Sequence, residues 1–141
     1  MFVYPCPIRW SDMDANGHVN SSRYGTLLEE TRMRMFESLV PADPAERLRR
    51  NFLVREQTIK YLRPLATWET PVTVEAWVTA LKRVSFEVHY EIKDAEQTYV
   101  TASTVMAGVD STTGRIRRFE AEEMAAMESF LLAPVEAPAG A

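Results

Sequence analysis

An α+β domain, with a mostly antiparallel sheet and one long helix on one face, is predicted by three observations. Apolar residues recur at helical spacing from about Ser21 to Leu39. Most of the chain from Phe52 to Phe119 alternates instead with the period of a strand. At 141 residues, with 46% hydrophobic and 26% charged content and no internal repeat, the chain has the make-up of one globular domain that buries a real core.

The elements follow in order. Phe2 to Trp10 is a short extended start, in which Cys6 sits as a small residue between Pro5 and Pro7. A polar loop runs from Trp10 to the helix. Tyr24, Leu27, Leu28, Thr31, Met35 and Leu39 form the helix's apolar stripe, which leaves Arg23, Glu29, Arg32 and Glu37 on its other faces. Glu30 and Arg34 lie one turn apart in the favourable order for a surface pair. Pro41 and Pro44 end the pattern, and Ala45 to Asn51 offers one more helical turn.

Two strands then show strict alternation. Val72, Val74, Ala76 and Val78 interleave with Thr73, Glu75, Trp77 and Thr79; Val84, Phe86, Val88, Tyr90 and Ile92 interleave with polar residues. Lys93 to Glu96 reads as a hairpin turn into Gln97 to Asp110. That last strand is apolar or small on both faces and is expected to be central and covered on both sides. Ser111 to Gly114 is a turn, and Ala121 to Leu132 a short amphipathic helix. The domain therefore spans 1–132, followed by a flexible Ala/Pro-rich tail over 133–141. One helix cannot cover a wide sheet, so edge strands and the uncovered face argue for a homodimer or homotetramer.

Several function classes are disfavoured. A net charge of −4 is not that of a basic nucleic-acid binder. No stretch reaches transmembrane length and no secretory pattern opens the chain, which makes the cytoplasm the expected location. With one cysteine there is no intrachain disulfide framework and no multi-cysteine metal site.

The loop carries the chemistry. Asp12, Asp14, Asn16, His18 and Asn20 occupy alternate positions immediately before a helix. One reading is turn chemistry, in which Asp, Asn and Gly17 make tight bends and Asn20 or Ser21 caps the helix. The other is a reaction centre, where a helix amino terminus polarises an acceptor beside a carboxylate. Asp12, Asp14 and His18 offer three metal ligands from a single element, and the other histidine, His89, lies on the polar face of a strand; no metal and no cofactor is expected. There is no Gly-x-Ser-x-Gly elbow, and Gly17 alone does not make a phosphate-cradling loop. Carboxylate chemistry remains: a carboxylate attacks an acyl carbon or activates a water that does so. Of Asp12 and Asp14, one is expected to be structural.

Trp10 to Tyr24 resembles the active-site loop of hotdog-fold thioesterases, the 4-hydroxybenzoyl-CoA thioesterase group and its acyl-CoA thioesterase relatives. The pattern, aromatic-x-Asp-x-Asp-x-x-Gly-His/Ile-Val followed by Tyr, is met without a gap from Trp10 through Asp12, Asp14, Gly17 and Val19 to Tyr24. Ile59-Lys60-Tyr61-Leu62-Arg63-Pro64 is similar to the family's second-strand signature, and the likeness covers about residues 2–120. The resemblance implies a single hotdog domain, an antiparallel sheet wrapped around one long central helix. It implies hydrolysis of an acyl-CoA thioester with Asp14 as general base or nucleophile, Asp12 structural, and the Ser21 amide polarising the carbonyl. The run from Asp14 to Asn20 is also similar to plant acyl-ACP thioesterases, where the positions of Asp14, Asn16 and His18 are functional. His18 replaces the apolar residue of the benzoyl-CoA type, which turns the expectation from aromatic toward fatty or branched acyl groups.

Tyr24, Leu27, Leu28 and Met35 are expected to line the acyl site. Lys60, Arg63, Lys82, Arg83, Arg115, Arg117 and Arg118 are the cations available to an anionic CoA, with Lys60, Arg63, Lys82 and Arg83 the chosen substrate contacts. An acyl carrier protein as thioester donor is the alternative within this chemistry. A non-catalytic acyl-thioester sensor or assembly subunit is the alternative outside it.

Overall fold

The computed structural model describes residues 1–132, so the expected tail over 133–141 lies outside the described residues. Strand β1 (Phe2–Cys6) and the polar loop precede helix α1 (Tyr24–Met35). The short helix α2 (Pro44–Arg49) leads into β2 (Asn51–Tyr61), β3 (Val72–Thr79), β4 (Ser85–Lys93), β5 (Thr98–Asp110) and the two-residue β6 (Arg115–Ile116). Helix α3 (Ala121–Glu128) closes the domain. Every strand pairing is antiparallel, in the order β1-β3-β4-β5-β2 with β6 on β5. The sheet curls around α1, the hotdog arrangement.

The alternation in the strands sets which side meets the helix. One row of the sheet reads Tyr4, Val74, Ile92, Val100 and Tyr61. Val74, Ala76, Val78, Val88, Tyr90, Ile92 and Val100 are buried in one core cluster with Tyr24, Leu27, Leu28 and Met35 of α1. The apolar stripe read from the sequence is therefore the buried face. Phe36 packs edge-on against Phe86 and Phe130 at the far end.

The structure corrects four details. The helical pattern is not one helix: a 3-10 turn (Ser21–Arg23) leads into α1, the backbone leaves helical geometry at Phe36 (φ −115°, ψ 17°), and a second 3-10 turn holds Glu37–Leu39. Arg32, assigned to a polar face, is buried. It lies one turn after Leu28 on the buried stripe, where its Nη1 donates to Tyr90 Oη (3.1 Å) and Thr104 Oγ1 (3.2 Å). Helix α3 ends at Glu128 rather than Leu132. β5 is central, yet on its face away from α1 Thr101, Ser103 and Val105 are only half-buried.

β2 is the sheet's long free edge. A bulge between Val54 and Glu56 shifts its register by one residue. Phe52, before the bulge, packs against Phe86 and Phe119, and Tyr61, after it, packs against Tyr24. The bulge therefore keeps both rings on the helix side.

Leu28 has no exposed surface and fills the centre of the helix–sheet contact. The Leu28→Ala variant should lose about 2–5 kcal/mol of stability in a denaturant titration. A loss below ~1 kcal/mol would show that the site collapses freely around the missing side chain.

Candidate active site

The loop between β1 and α1 is built from its own hydrogen bonds. A 3-10 turn (Trp10–Asp12) starts it, and the Asp12 carboxylate is buried there. Asp12 accepts from the Arg9 amide (2.8 Å) and from Arg9 Nη2 (3.1 Å), while its carbonyl accepts from the Asn20 amide (2.8 Å). Burial alone would push this carboxyl up, but the hydrogen bonds and charge of Arg9 outweigh it and hold Asp12 below the ordinary range. Asp12 is a structural tie.

Beyond it the chain makes a tight hairpin tip. The Asp14 amide donates to the His18 carbonyl (2.9 Å), and the Gly17 amide to the Asp14 carbonyl (3.1 Å). Gly17 has φ +78°, the left-handed region that glycine enters without a Cβ penalty. The Val19 amide donates to the carbonyl of buried Leu65 (2.8 Å), pinning the loop to the segment that follows β2.

Asp14 is only half-buried. Its Oδ1 accepts from the Asn16 amide (2.9 Å), and its Oδ2 from Asn20 Nδ2 (3.3 Å). The Asn20 Oδ1 meanwhile caps the helix, accepting from the Ser22 amide (3.0 Å) and from Ser22 Oγ (2.6 Å). The Ser21 amide, at the first helical position, donates to no acceptor among the described residues. Its carbonyl accepts from Tyr61 Oη (3.3 Å).

These groups open on one cleft of about 360 Å³. Asp14, His18, Ser21 and Tyr24 line it from one side, and Tyr61, Leu62, Arg63 and Pro64 from the other. Tyr24 and Tyr61 meet edge to face at 5.4 Å. Burial pushes the Tyr24 phenol up, against a hydrogen bond from the Leu65 backbone. The cleft thus joins a carboxylate, an imidazole, an unpaired amide at a helix start and a cation.

The structure brings together Asp14, His18, Ser21, Tyr24 and Arg63. The Asn16 residue is exposed at the hairpin tip and meets Asp14 through its backbone. Leu28 is sealed in the core, and Lys60 is exposed one residue before Tyr61 on β2, pointing to the opposite side of the sheet. Lys82 and Arg83 sit in the β3–β4 turn, at the end of the sheet away from the helix start. Tyr61 and Leu62 line the cleft without having been singled out, although both fall inside the Ile59–Pro64 motif. Asn20, read as a turn residue, also holds the Asp14 carboxylate. Among the described residues no group of three or more His, Cys, Asp or Glu side chains is placed to hold a metal ion. Cys6 is buried, and its thiol is pushed up to about 11, chiefly by burial.

The depressed Asp12 carboxyl makes a pH-dependent contribution. A group lowered on folding stabilises above its unfolded value and loses that contribution as pH falls through the folded one. Asp12→Asn should therefore melt below wild type at pH 7, and the gap should close as pH drops below the ordinary carboxylate range of about 4. Thermal melts across that range check it; a gap independent of pH would make the effect one of shape rather than charge.

The comparisons with known proteins agree with this fold. The sequence profile of the thioesterase-like superfamily matches residues 8–135. A solved structure of a Bacillus stearothermophilus protein described as a predicted thioesterase superposes with a TM-score of 0.84 at 19% identity, covering 95% of this chain and 98% of that one. The PA2801 protein of Pseudomonas aeruginosa, described provisionally as a thioesterase, is 26% identical over 89% of this chain and 96% of its own, with a TM-score of 0.77. The SAV2348 protein of Staphylococcus aureus, solved in complex with CoA, superposes at a TM-score of 0.82 and 16% identity, over 97% of this chain and 89% of that one. A search of functionally curated proteins found no match. With the profile spanning nearly the whole described domain and the hotdog sheet around α1, the chain belongs to the thioesterase-like superfamily.

Proposed function

We propose that the protein hydrolyses an acyl-CoA thioester to the free acid and CoA, without a metal. The observation that carries this reading is the placement of the Asp14 carboxylate and the unpaired Ser21 amide on one cleft. A thioester carbonyl seated there receives the amide hydrogen at the positive end of α1, where negative charge develops on oxygen. As general base, Asp14 takes a proton from water, the oxygen adds to the acyl carbon, and the C–S bond breaks. The leaving sulfur then takes the proton. As nucleophile, Asp14 forms an anhydride with the acyl group, which water opens afterwards. His18, which lines the cleft, relays the proton from Asp14 to the leaving sulfur. Arg63 on the rim suits the phosphates of CoA. The CoA complex of the staphylococcal relative supports that donor class.

Asp14→Asn should keep the fold and release thiol about 10²–10⁴-fold more slowly from an acyl-CoA panel assayed with chelator. Wild-type-like turnover in that variant would remove Asp14 from the mechanism. His18→Ala should cost less. Single turnover in ¹⁸O-water tests the nucleophilic role, because label enters the Asp14 carboxylate only when water opens an anhydride at the Asp14 carbon.

The reading includes a homodimer formed along β2. This edge strand is unpaired on its outer side and exposes Leu53 and Val54, with Tyr61 and Leu62 at its end. A bare edge of that length is a template for a second copy. Light scattering should give at least twice the mass of one chain; a stable monomer would overturn the assembly without touching the chemistry.

A further inference from the structure

We infer that the protein selects acyl groups bearing a carboxylate at their far end, held by Arg32 in the cavity between α1 and β2. The substrate class rests on the thioesterase reading above; the binding site rests on its own observations.

The cavity holds about 390 Å³, and Phe36, Phe52, Phe86 and Met106 form much of its apolar wall. Arg32 also lines it and is only 9% exposed. A guanidinium so buried is costly unless its charge and its donors are answered. Here all the answering is done at one nitrogen. Nη1 donates to Tyr90 Oη, Thr104 Oγ1 and Gln57 Oε1, which are neutral acceptors. Nε and Nη2 donate to nothing among the described residues, and no carboxylate there makes an ion pair with Arg32. Nη2 and Nε form the edge of the fork that suits a bidentate carboxylate.

Arg50 also lines the cavity, but its charge is answered by Glu122 through Nη2. Its Nε, though without a partner, is sealed from solvent, so the available donors are those of Arg32. Glu29 is the acidic residue on this wall; it is exposed and makes no ion pair with either arginine. In a protein of net charge −4, a largely apolar cavity with unanswered guanidinium donors is a site for an amphipathic anion.

The cavity continues the line of the candidate active site. α1 runs antiparallel to β2, so Tyr24 faces Tyr61 at the cleft, while Arg32 and Phe36 share the cavity with Val54 and Phe52 further along. Arg32 is eight residues beyond Tyr24, about 12 Å along the helix axis, and helical side chains lean back toward the helix start. Ser21 precedes Tyr24 by a three-residue 3-10 turn, about 6 Å more, which the backward lean of the long Arg32 side chain offsets. The span therefore suits an extended acyl chain of medium length, with its thioester at Ser21 and its carboxylate at Arg32. Between them Gly25 lets α1 approach β2 closely, since a Cβ there would stand 3.5 Å from Gln57 Nε2.

The test compares octanedioyl-CoA with octanoyl-CoA, equal in chain length and differing in the terminal carboxylate. Wild type should favour the octanedioyl thioester at least about tenfold in kcat/KM, the scale of a charged hydrogen bond. Arg32→Met should erase that preference, bringing the ratio of the two kcat/KM values to about one whatever the absolute turnover of the variant. Glu29→Gln should retain the preference. Equal or better turnover of octanoyl-CoA by wild type overturns the inference even if the variant fails to fold, as does an equal loss on both substrates in Arg32→Met or Arg32→Lys. Should neither thioester be cleaved, the thioesterase reading fails by itself. Calorimetric titration of wild type with octanedioic and octanoic acids then decides the site: tighter binding of the diacid supports it, and equal or no binding overturns it.

Discussion

Asn20 stands where two demands of the cleft meet. Its side-chain oxygen caps the turn that opens α1, leaving the Ser21 amide as the donor without an internal acceptor. Its side-chain nitrogen holds the Asp14 carboxylate. One amide group thereby fixes the distance between the acid and the positive end of a helix, and that helix is itself fixed by its stripe against the sheet. Hydrogen bonds from Arg9 and to Leu65 anchor the rest of the loop. The hydrolysis we propose for this cleft tolerates little slack, since an angstrom of displacement is enough to spoil attack. The loop's dense self-bonding is the means by which a surface segment reaches that precision.

Much of this was legible in the residue pattern. Tyr24, Leu27, Leu28, Thr31 and Met35 announced the buried helix face by spacing alone, and Val72 to Val78 and Phe86 to Ile92 announced the inner face of the sheet. The loop could be read as a turn, and its backbone is built as one, with Asp14, His18 and Ser21 on a single cleft. What escaped was set by distant partners. Arg32 was assigned to a polar face by its charge, whereas Tyr90 and Thr104, 58 and 72 residues away, supply the hydroxyls that make its burial tolerable. Lys82 and Arg83 look well placed as cations near a strand end, but a linear pattern does not say which end of the sheet that is. Leu28 has the right chemistry to line an acyl site and the wrong angle on the helix to do so.

The polar interior also bears on how the fold is specified. Arg32, Tyr90, Thr104 and Gln57 tie α1 to β4, β5 and β2 in one connected network. Apolar packing alone would allow the helix to slide by a turn along a smooth sheet face. A guanidinium that finds its acceptors in one register resists such sliding, because each misplaced arrangement strands a buried donor. The same residue that we assign to substrate selection thus also locates the helix.

The bulge in β2 has a geometric consequence. Phe52 and Tyr61 are separated by an odd number of positions, and in a regular strand they would project to opposite sides. The single extra residue near Arg55 restores their phase, so one strand lends a wall to the cavity at one end and to the cleft at the other. β2 behaves as a ruler: its backbone sets the span between the two stations, and the side chains between them only colour the path. On the substrate reading we propose, chain length would be a property of strand register, and polarity would belong to whichever residues stand at the ruler's far mark.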